Sequence, residues 1–233
     1  SQGYHNSGSL IFGPGDIKYK DLNNDGKIHP GARTLADHGD LDVIGNSTPR
    51  YEYSFRVDMG YKGFDLSLFF QGVGKRDLWN NSFLGVPGYN AADGAMPQTF
   101  ADFWYETFDA DGKLIDANYD AFYPRATNMG TGQGFNNLPN DRLLLNMAYL
   151  RLKNVTLGYT LPKQITQKAY INKLRVYVSL ENFLTFDKLN GLPIDPEAIP
   201  GVSYFNSSNY NNGRVGVGVP AMKTASVGLQ ITF

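Results

Sequence analysis

The chain has 233 residues, a net charge of −1 and no cysteine. A nearly neutral charge gives no reason to expect a nucleic-acid partner, and the lack of cysteine excludes a disulfide framework and thiol chemistry. No apolar run reaches the roughly 18 residues that a membrane helix needs. The chain opens at Ser1 without a signal peptide, so we expect a mature protein or a fragment of one.

Aromatic residues are abundant, with 15 Tyr, 15 Phe and 2 Trp. Aromatic side chains favour strands and gather at membrane interfaces. A transmembrane β-barrel escapes the search for long apolar runs, because each of its strands is apolar on only one face. The composition is therefore compatible with a membrane barrel as well as with an ordinary all-β domain.

The first candidate site is an acidic loop at residues 21–28, which fits the first eight positions of a calcium loop. Oxygen atoms at positions 1, 3, 5 and 7 would converge on a hard cation, and Gly26 permits the sharp turn between them. Position 12 is Ala32, which has no carboxylate, so a later acidic residue must replace it. The expected Ca²⁺ ligands are Asp21, Asn23, Asp25, the Lys27 carbonyl and Asp42.

Two alternatives remain open for this region. Asp37 or Asp40 could take the place of Asp42 as the last ligand, or the loop could be an Asx-rich turn that binds no metal. The stretch Asp-His-Gly-Asp at residues 37–40 could suggest catalysis or a zinc site. A single histidine among carboxylates is usually solvated, and neither a nucleophile elbow nor a glycine-rich phosphate loop can be identified. We therefore expect no enzyme and no catalytic residues.

Residues 51–74 are predicted to form a β-hairpin. Along residues 51–61 every second side chain is aromatic or apolar, and the side chains between them include Glu52, Arg56 and Asp58. A short turn around Gly63 follows, and residues 64–71 repeat the alternation. The hairpin thus has one apolar and one polar face, which a soluble sheet could also place in water.

Residues 145–186 are predicted to hold two more strands joined by a short turn. The apolar parity changes within the first of them, and a bulge near Lys153 would reconcile its two halves. Pro162 ends that strand, residues 163–172 could hold a helical turn, and the next strand starts at Lys173. The last predicted strand is 221–233, which alternates between apolar and small or polar residues and stops on Phe233.

The connections between these strands alternate in length. The turns near residue 62 and at 162–172 are short, whereas 75–144 and 187–220 are long and irregular. Short periplasmic turns and long outer loops are typical of an outer-membrane barrel, and a compact soluble domain rarely tolerates so long an irregular connection. With a periplasmic C-terminus, residues 1–50 and both long loops lie outside the cell.

An open sheet would leave bare strand edges in lipid. The sequence therefore predicts an all-β chain that forms the C-terminal segment, about five or six strands, of a large transmembrane antiparallel barrel with long extracellular loops.

The long loop 75–144 is rich in aromatic residues. Rings beside Asn and Asp suit a sugar, a peptide or a partner protein equally well. Alternatively the loop packs on itself, and we expect a partner or self-packing role ahead of direct ligand contact. The candidate contact residues are Trp79, Tyr89, Trp104 and Tyr105.

Several stretches resemble, in order, the SusC/RagA-like branch of the TonB-dependent outer-membrane transporters. The most specific match is residues 149–162, Tyr-Leu-Arg-Leu-Lys-Asn-Val-Thr-Leu-Gly-Tyr-Thr-Leu-Pro, and residues 174–186 are nearly as close. Residues 61–72 resemble the hairpin of that family, and residues 15–26 resemble its acidic external loop. The loops 75–140 and 190–220 match poorly.

The resemblance implies a plugged 22-stranded barrel in the outer membrane, of which this chain supplies the C-terminal part. It implies import of oligosaccharides, driven by TonB and assisted by a SusD-like surface lipoprotein, or import of oligopeptides by the same machinery. The implied partners are the plug and the remaining barrel, the lipoprotein, TonB, outer-membrane lipid and the ligand, with a dimer of transporter–lipoprotein pairs as one arrangement. A passive porin or an adhesive barrel, which needs neither plug nor TonB, is the other class.

Overall fold

The computed structural model describes residues 13–79, 98–126, 136, 138–197 and 219–233. The strands within these ranges are β1 (Arg50–Tyr61), β2 (Phe64–Lys75), β3 (Asp77–Leu78), β4 (Tyr105–Phe108), β5 (Leu114–Asn118), β6 (Leu145–Asn146), β7 (Tyr149–Thr160), β8 (Lys173–Asp187) and β9 (Thr224–Thr232). A single-turn helix, α1 (Lys163–Thr166), continues into a 3₁₀ turn at Gln167–Ala169, and another 3₁₀ turn lies at Gln98–Ala101. The all-β prediction is confirmed.

The main element is a five-stranded antiparallel sheet in the order β1-β2-β7-β8-β9. β3 pairs with β6 and β4 with β5 in two small ribbons. The main sheet has two different ends. The turn end carries the connections β1–β2 and β7–β8, and the loop end carries the described parts of the chain between β2 and β7 and between β8 and β9.

Each strand of the main sheet presents one polar and one apolar face. The register places Asp58, Ser67, Thr156, Ser179 and Ser226 in one row across all five strands. The neighbouring row holds Val57, Leu68, Val155, Leu180 and Ala225. Residues directly opposite each other share a face, so polar and apolar rows alternate between the two sides of the sheet.

The bulge predicted near Lys153 is present. The pairing of β2 with β7 skips from Asn154 to Leu152, and the pairing of β7 with β8 is irregular at the same place. One extra residue reverses the side-chain parity beyond it. As a result Arg151, opposite Gln71 and Thr185, lies on the polar face of the sheet.

The hydrophobic core lies at the loop end, between the loops, and not on the apolar face of the sheet. Its buried members come from the long loop and from the segment after β8: Phe100, Tyr123, Leu143, Met147, Leu189, Leu192 and Ile194. Trp79 and Phe103 pack against this cluster. The loops are therefore folded against one another, whereas the apolar face of the sheet is exposed on its outer strands, as Val227 (75%) and Leu229 (65%) illustrate, and mostly half-buried on the inner ones.

No helix in the described ranges is both long enough and apolar enough to cross a membrane.

Candidate functional site

A cleft of about 800 Å³ lies between the long loop and the segment that follows β8. The wall from the long loop is formed by Thr99, Asp102, Phe122, Tyr123 and residues 142–146. The opposite wall is formed by Asp187, Lys188, Leu189, Asn190 and Leu192. The cleft has the size and the mixed apolar and polar lining of a small-molecule site.

Charged side chains hold the long-loop wall of the cleft in place. The Arg142 guanidinium donates to the carbonyls of Phe122 (2.7 Å) and Ala121 (2.9 Å), and it lies 5.5 Å from the centre of the Phe122 ring. The Asp102 carboxylate accepts from the Phe122 amide at 3.2 Å. Burial raises the pKa of Tyr123, and the charge of Asp102 adds to that effect. The wall is therefore preformed.

The opposite wall is fixed by an ion-pair network that we call the Arg151 clamp, made of Arg151, Lys153, Thr185, Asp195 and Glu197. Arg151 donates to Asp195 Oδ1 at 2.7 Å, to Thr185 Oγ1 at 2.9 Å and to a Glu197 oxygen. Lys153 Nζ lies 3.0 Å from the other Glu197 oxygen. The side chains of Arg151 and Asp195 are only 5% and 6% exposed. Opposite charges that are buried together in this way hold the segment after β8 against β7.

The Asp195 carboxylate also binds two backbone amides. It accepts from the amide of Glu197 at 2.9 Å and from the amide of Ala221 at 2.8 Å. Burial pushes the pKa of Asp195 upward, but the hydrogen bonds from Arg151, Ala221 and Glu197 outweigh burial and lower the pKa. One carboxylate thus ties the segment after β8 to β7 and to the approach to β9. Sequence reasoning missed this cluster, because Asp195 follows Arg151 by 44 residues, with all of β8 between them.

Residues 13–17 are fastened to the long loop by a second ion pair. Arg125 Nη2 donates to Asp16 Oδ2 at 2.7 Å, and Asn136 Nδ2 donates to Asp16 Oδ1 at 2.9 Å. The Asn136 side chain in turn accepts from the Ile17 amide at 2.8 Å. The described parts of the first fifty residues and of the long loop therefore share one set of contacts.

Three of the predicted contact aromatics lie in loop packing. Trp79 rests against the core cluster. Trp104 lies over Gly15, where an added Cβ would come within 2.4 Å of the indole ring. The Tyr105 hydroxyl donates to Asp116 at 2.9 Å across the β4–β5 ribbon, and that bond raises the pKa of Tyr105. Tyr89 lies outside the described residues. A role of these residues in ligand or partner contact stays a prediction.

The acidic loop is held by its own backbone amides. Asp21 accepts from the amides of Asn24 (2.6 Å) and Gly26 (2.8 Å), and Asp25 accepts from the amide of Lys27 (2.8 Å). His29 Nε2 lies 2.7 Å from Asp25 Oδ2, and this bond lowers the pKa of Asp25 and raises that of His29.

Asp40 and Asp42, two of the candidates for the last calcium ligand, have different positions relative to the acidic loop. The two Asp40 oxygens accept from the amides of Leu22 and His29, both at 2.7 Å, so Asp40 belongs to the loop. Asp42 accepts from the amide of Val43 at 2.7 Å. No group of three or more His, Cys, Asp or Glu residues suited to a metal occurs within the described part of the chain. Calcium binding stays a prediction.

On the polar face, near the turn end, an ion pair crosses a whole strand. Arg175 of β8 donates from Nε to Asp65 of β2 at 2.9 Å, above Gly158 of β7. A Cβ at position 158 would lie 2.5 Å from both side chains. Ion pairs therefore join elements on the polar face near both ends of the sheet: Arg175 with Asp65 at the turn end, and the Arg151 clamp at the loop end.

The chain is similar to two curated proteins of Formosa agariphila. It is 30% identical over 224 residues to TonB-dependent receptor P3, which covers 94% of this chain and 19% of that protein. It is 26% identical over 223 residues to TonB-dependent receptor P26, with 94% and 20% coverage. The chain thus spans about a fifth of the length of these relatives. No family model matches the chain.

The fold is similar to solved structures of RagAB. The match to a RagAB peptide transporter has a TM-score of 0.53 at 25% identity and covers 80% of this chain and 17% of that one. The match to the RagAB peptide importer in a closed-closed state has a TM-score of 0.54 at 21% identity, with 84% and 18% coverage; this likeness concerns the fold alone. The predicted fold class, a segment of a large antiparallel barrel, is confirmed.

Proposed function

We propose that this chain, which belongs to the SusC/RagA-like TonB-dependent receptors, forms part of the wall and outer mouth of an active importer in the bacterial outer membrane. The chain itself is not an enzyme, since its relatives are receptors and transporters. Its contribution to import is structural: strands that separate lipid from a wet lumen, and loops that meet the ligand.

The observation that carries this proposal is the apolar face of the sheet, which continues across all five strands and is exposed on the outer ones. Within β1 the side chains on that face are all at least 39% exposed: Tyr51, Tyr53, Phe55, Val57, Met59 and Tyr61. In water such a continuous surface would drive association, whereas in a bilayer it is the surface that contacts acyl chains. The polar face, with Ser67, Thr156 and Ser179 in one row, then lines the lumen.

The ends of the apolar face carry aromatic side chains, as membrane interfaces favour. Tyr51 and Tyr53 lie at the loop end. At the turn end the rings of Phe64 and Tyr159 lie 4.5 Å apart, beside Tyr61. The aliphatic rows lie between these two sets, together with the stacked rings of Phe55 and Phe70. This order supports a transmembrane orientation with the turn end in the periplasm and the loop end outside the cell.

The outer strands β1 and β9 would expose unpaired amides and carbonyls if the sheet stood alone in lipid. We therefore assign both edges to the remaining strands of the same barrel. The plug and the contact with TonB belong to parts of the receptor outside this chain, and the energy for import would come through TonB. A passive or adhesive barrel would share the wall but would not depend on TonB.

Our proposal for the ligand is an oligosaccharide, captured between the barrel and a SusD-like surface lipoprotein. An oligopeptide is the second candidate, since RagAB is described as a peptide transporter and shares this fold. The cleft offers groups for either ligand: Asn146 and Asn190 could meet sugar hydroxyls, and Asp187 and Lys188 could meet peptide charges.

Uptake by the intact receptor separates these functions. Cells that carry the receptor would be given labelled oligosaccharide and oligopeptide mixtures, with and without TonB. TonB-dependent accumulation of sugar supports the proposal, and accumulation of peptide alone selects the second candidate. Accumulation that is equal without TonB would indicate a passive barrel and contradict active import.

A further inference from the structure

We infer that residues 187–197 form a fixed shelf over the polar face of β7 and that Arg151 is the positioning residue that holds it there. The inference deepens the proposed function, because the polar face lines the lumen only if the sheet is part of the barrel. The shelf, and not the strand beneath it, would then form the inner wall of the mouth and one side of the cleft.

The side of the sheet is determined by the register. Gln71, Arg151 and Thr185 stand in one row across β2, β7 and β8, and Gln71 shares its face of β2 with Ser67, in the polar row. The Arg151 side chain nevertheless is only 5% exposed. Since its partners Asp195 and Glu197 belong to the segment after β8, that segment must turn back across the polar face instead of rising away from the sheet.

The alternation of burial along the segment supports a shelf with two different sides. Leu189, Leu192 and Ile194 are 2%, 8% and 6% exposed and belong to the core cluster. Lys188, just before them, and Asn190 and Pro193, between them, are exposed. The segment is therefore packed on one side and exposed on the other, and both sets of side chains contribute to the cleft wall: Leu189 and Leu192 from the packed side, Lys188 and Asn190 from the exposed side.

The number of attachments indicates a fixed element. The guanidinium of Arg151 reaches three different side chains, and the Asp195 carboxylate accepts from two backbone amides in addition. Lys153 supplies a second cation to Glu197, so the charges of the clamp are balanced. Removing Arg151 leaves the buried Asp195 carboxylate without its cation, which is strongly unfavourable.

The fork of the guanidinium is needed for this arrangement. A lysine at 151 would retain the positive charge, but its single ammonium group cannot present several N–H donors in a planar fork to three acceptors at once. Arg151→Lys and Arg151→Gln should therefore both loosen the shelf. Arg151→Lys keeps the positive charge, so its effect isolates the contribution of the guanidinium geometry.

The test is the accessibility of the packed side of the shelf in the intact receptor. Because this chain contains no cysteine, Ile194→Cys can be probed in whole cells with a membrane-impermeant maleimide, with the receptor lacking that change as background. We expect Ile194→Cys to stay unlabelled with Arg151 present and to react at least about tenfold faster with Arg151→Gln or Arg151→Lys, since opening scales with the lost charged hydrogen bonds. Arg56→Gln, the same loss of charge on the same face of the sheet, should leave the labelling unchanged.

Hydrogen exchange of the receptor with an unaltered clamp provides a second measurement in case the Arg151 variants do not assemble. The amides of Glu197 and Ala221, which donate to the Asp195 carboxylate, should exchange far more slowly than exposed loop amides. Rapid labelling of Ile194→Cys beside an intact Arg151, full protection in Arg151→Lys, or exchange of the Glu197 and Ala221 amides as fast as that of an exposed loop would each overturn the shelf. These outcomes are independent of the ligand, so they are distinguishable from a failure of the import proposal, which the TonB dependence of uptake tests.

Discussion

The Arg175 guanidinium crosses above Gly158 to reach the Asp65 carboxylate, so that a single ion pair joins β8 to β2 over the intervening strand β7. The pair depends on the missing side chain at position 158. Antiparallel neighbours lie about 4.8 Å apart, so the Arg175 side chain must span two such spacings directly over the backbone of β7.

Gly158→Ala should displace this ion pair. The new Cβ would lie 2.5 Å from Arg175 Nε and from Asp65 Oδ1, and both side chains would have to move away. Because the pair is partly exposed, we expect a loss of about 0.5–1 kcal/mol, measured as a lower temperature of heat modification of the folded barrel on gels. Gly60→Ala is the matched control, since its Cβ would meet only the Phe64 carbonyl at 3.8 Å. Equal effects of both changes would contradict the role of Gly158.

Gly15→Ala should release Trp104 from its place on the loop. Gly15 has a φ of +84°, and its Cβ would lie 2.4 Å from the indole ring. Gly112, with a φ of +78° and no atom within 4 Å of its Cβ, carries the same backbone penalty of about 1–2 kcal/mol without the steric conflict. We expect tryptophan fluorescence to change in Gly15→Ala and to stay unchanged in Gly112→Ala. An identical spectrum in both variants would argue against the contact.

Met147→Ala should loosen the loops and leave the sheet intact. Met147 is 0% exposed at the centre of the core cluster, so its truncation should cost about 2–5 kcal/mol of local stability. Hydrogen exchange should increase in residues 98–126 and 187–197 but not in β1 or β9. An equal increase in hydrogen exchange in the sheet and the loops would instead indicate that they unfold as one cooperative unit.

The attachment of the shelf should weaken in acid. The pKa of Asp195 is lower in the folded protein than its unfolded value of about 3.9. The stabilisation is therefore present above the unfolded pKa and is lost as the pH falls through the folded pKa. Protection of residues 187–197 from proteolysis by pepsin should decline below about pH 4. Asp195→Asn, which cannot ionise, should show weaker protection with no comparable decline, and a parallel decline in both proteins would contradict the assignment.

Calcium removal tests the acidic loop. If the loop binds Ca²⁺, a chelator should lower the midpoint of thermal unfolding, because a ligand that binds only the folded state stabilises it. The chelator should have no such effect on Asp21→Asn, which keeps the size of the side chain but removes a charge from the expected site. An unchanged midpoint in the unaltered receptor would count against the metal and leave the Asx-rich turn.

The sequence by itself determined the strands and their two faces. Alternation between polar and apolar residues is a local property with a period of two, so the face of Asp58 or Leu68 could be assigned without knowing its neighbours. The same local parity located the bulge at Lys153. The order of short and long connections then predicted an antiparallel sheet, and the bare edges of that sheet predicted a larger barrel.

Only the tertiary structure decided which side chains meet. Arg175 and Asp65 are 110 residues apart, Arg125 and Asp16 are 109 apart, and Arg151 and Asp195 are 44 apart. No local pattern marks such partners, since they are brought together by strand register and by the paths of the loops. The long loop, which the alternation rule describes as irregular, proved to share a buried core with the segment after β8 for the same reason: its apolar residues find partners across the chain and not along it.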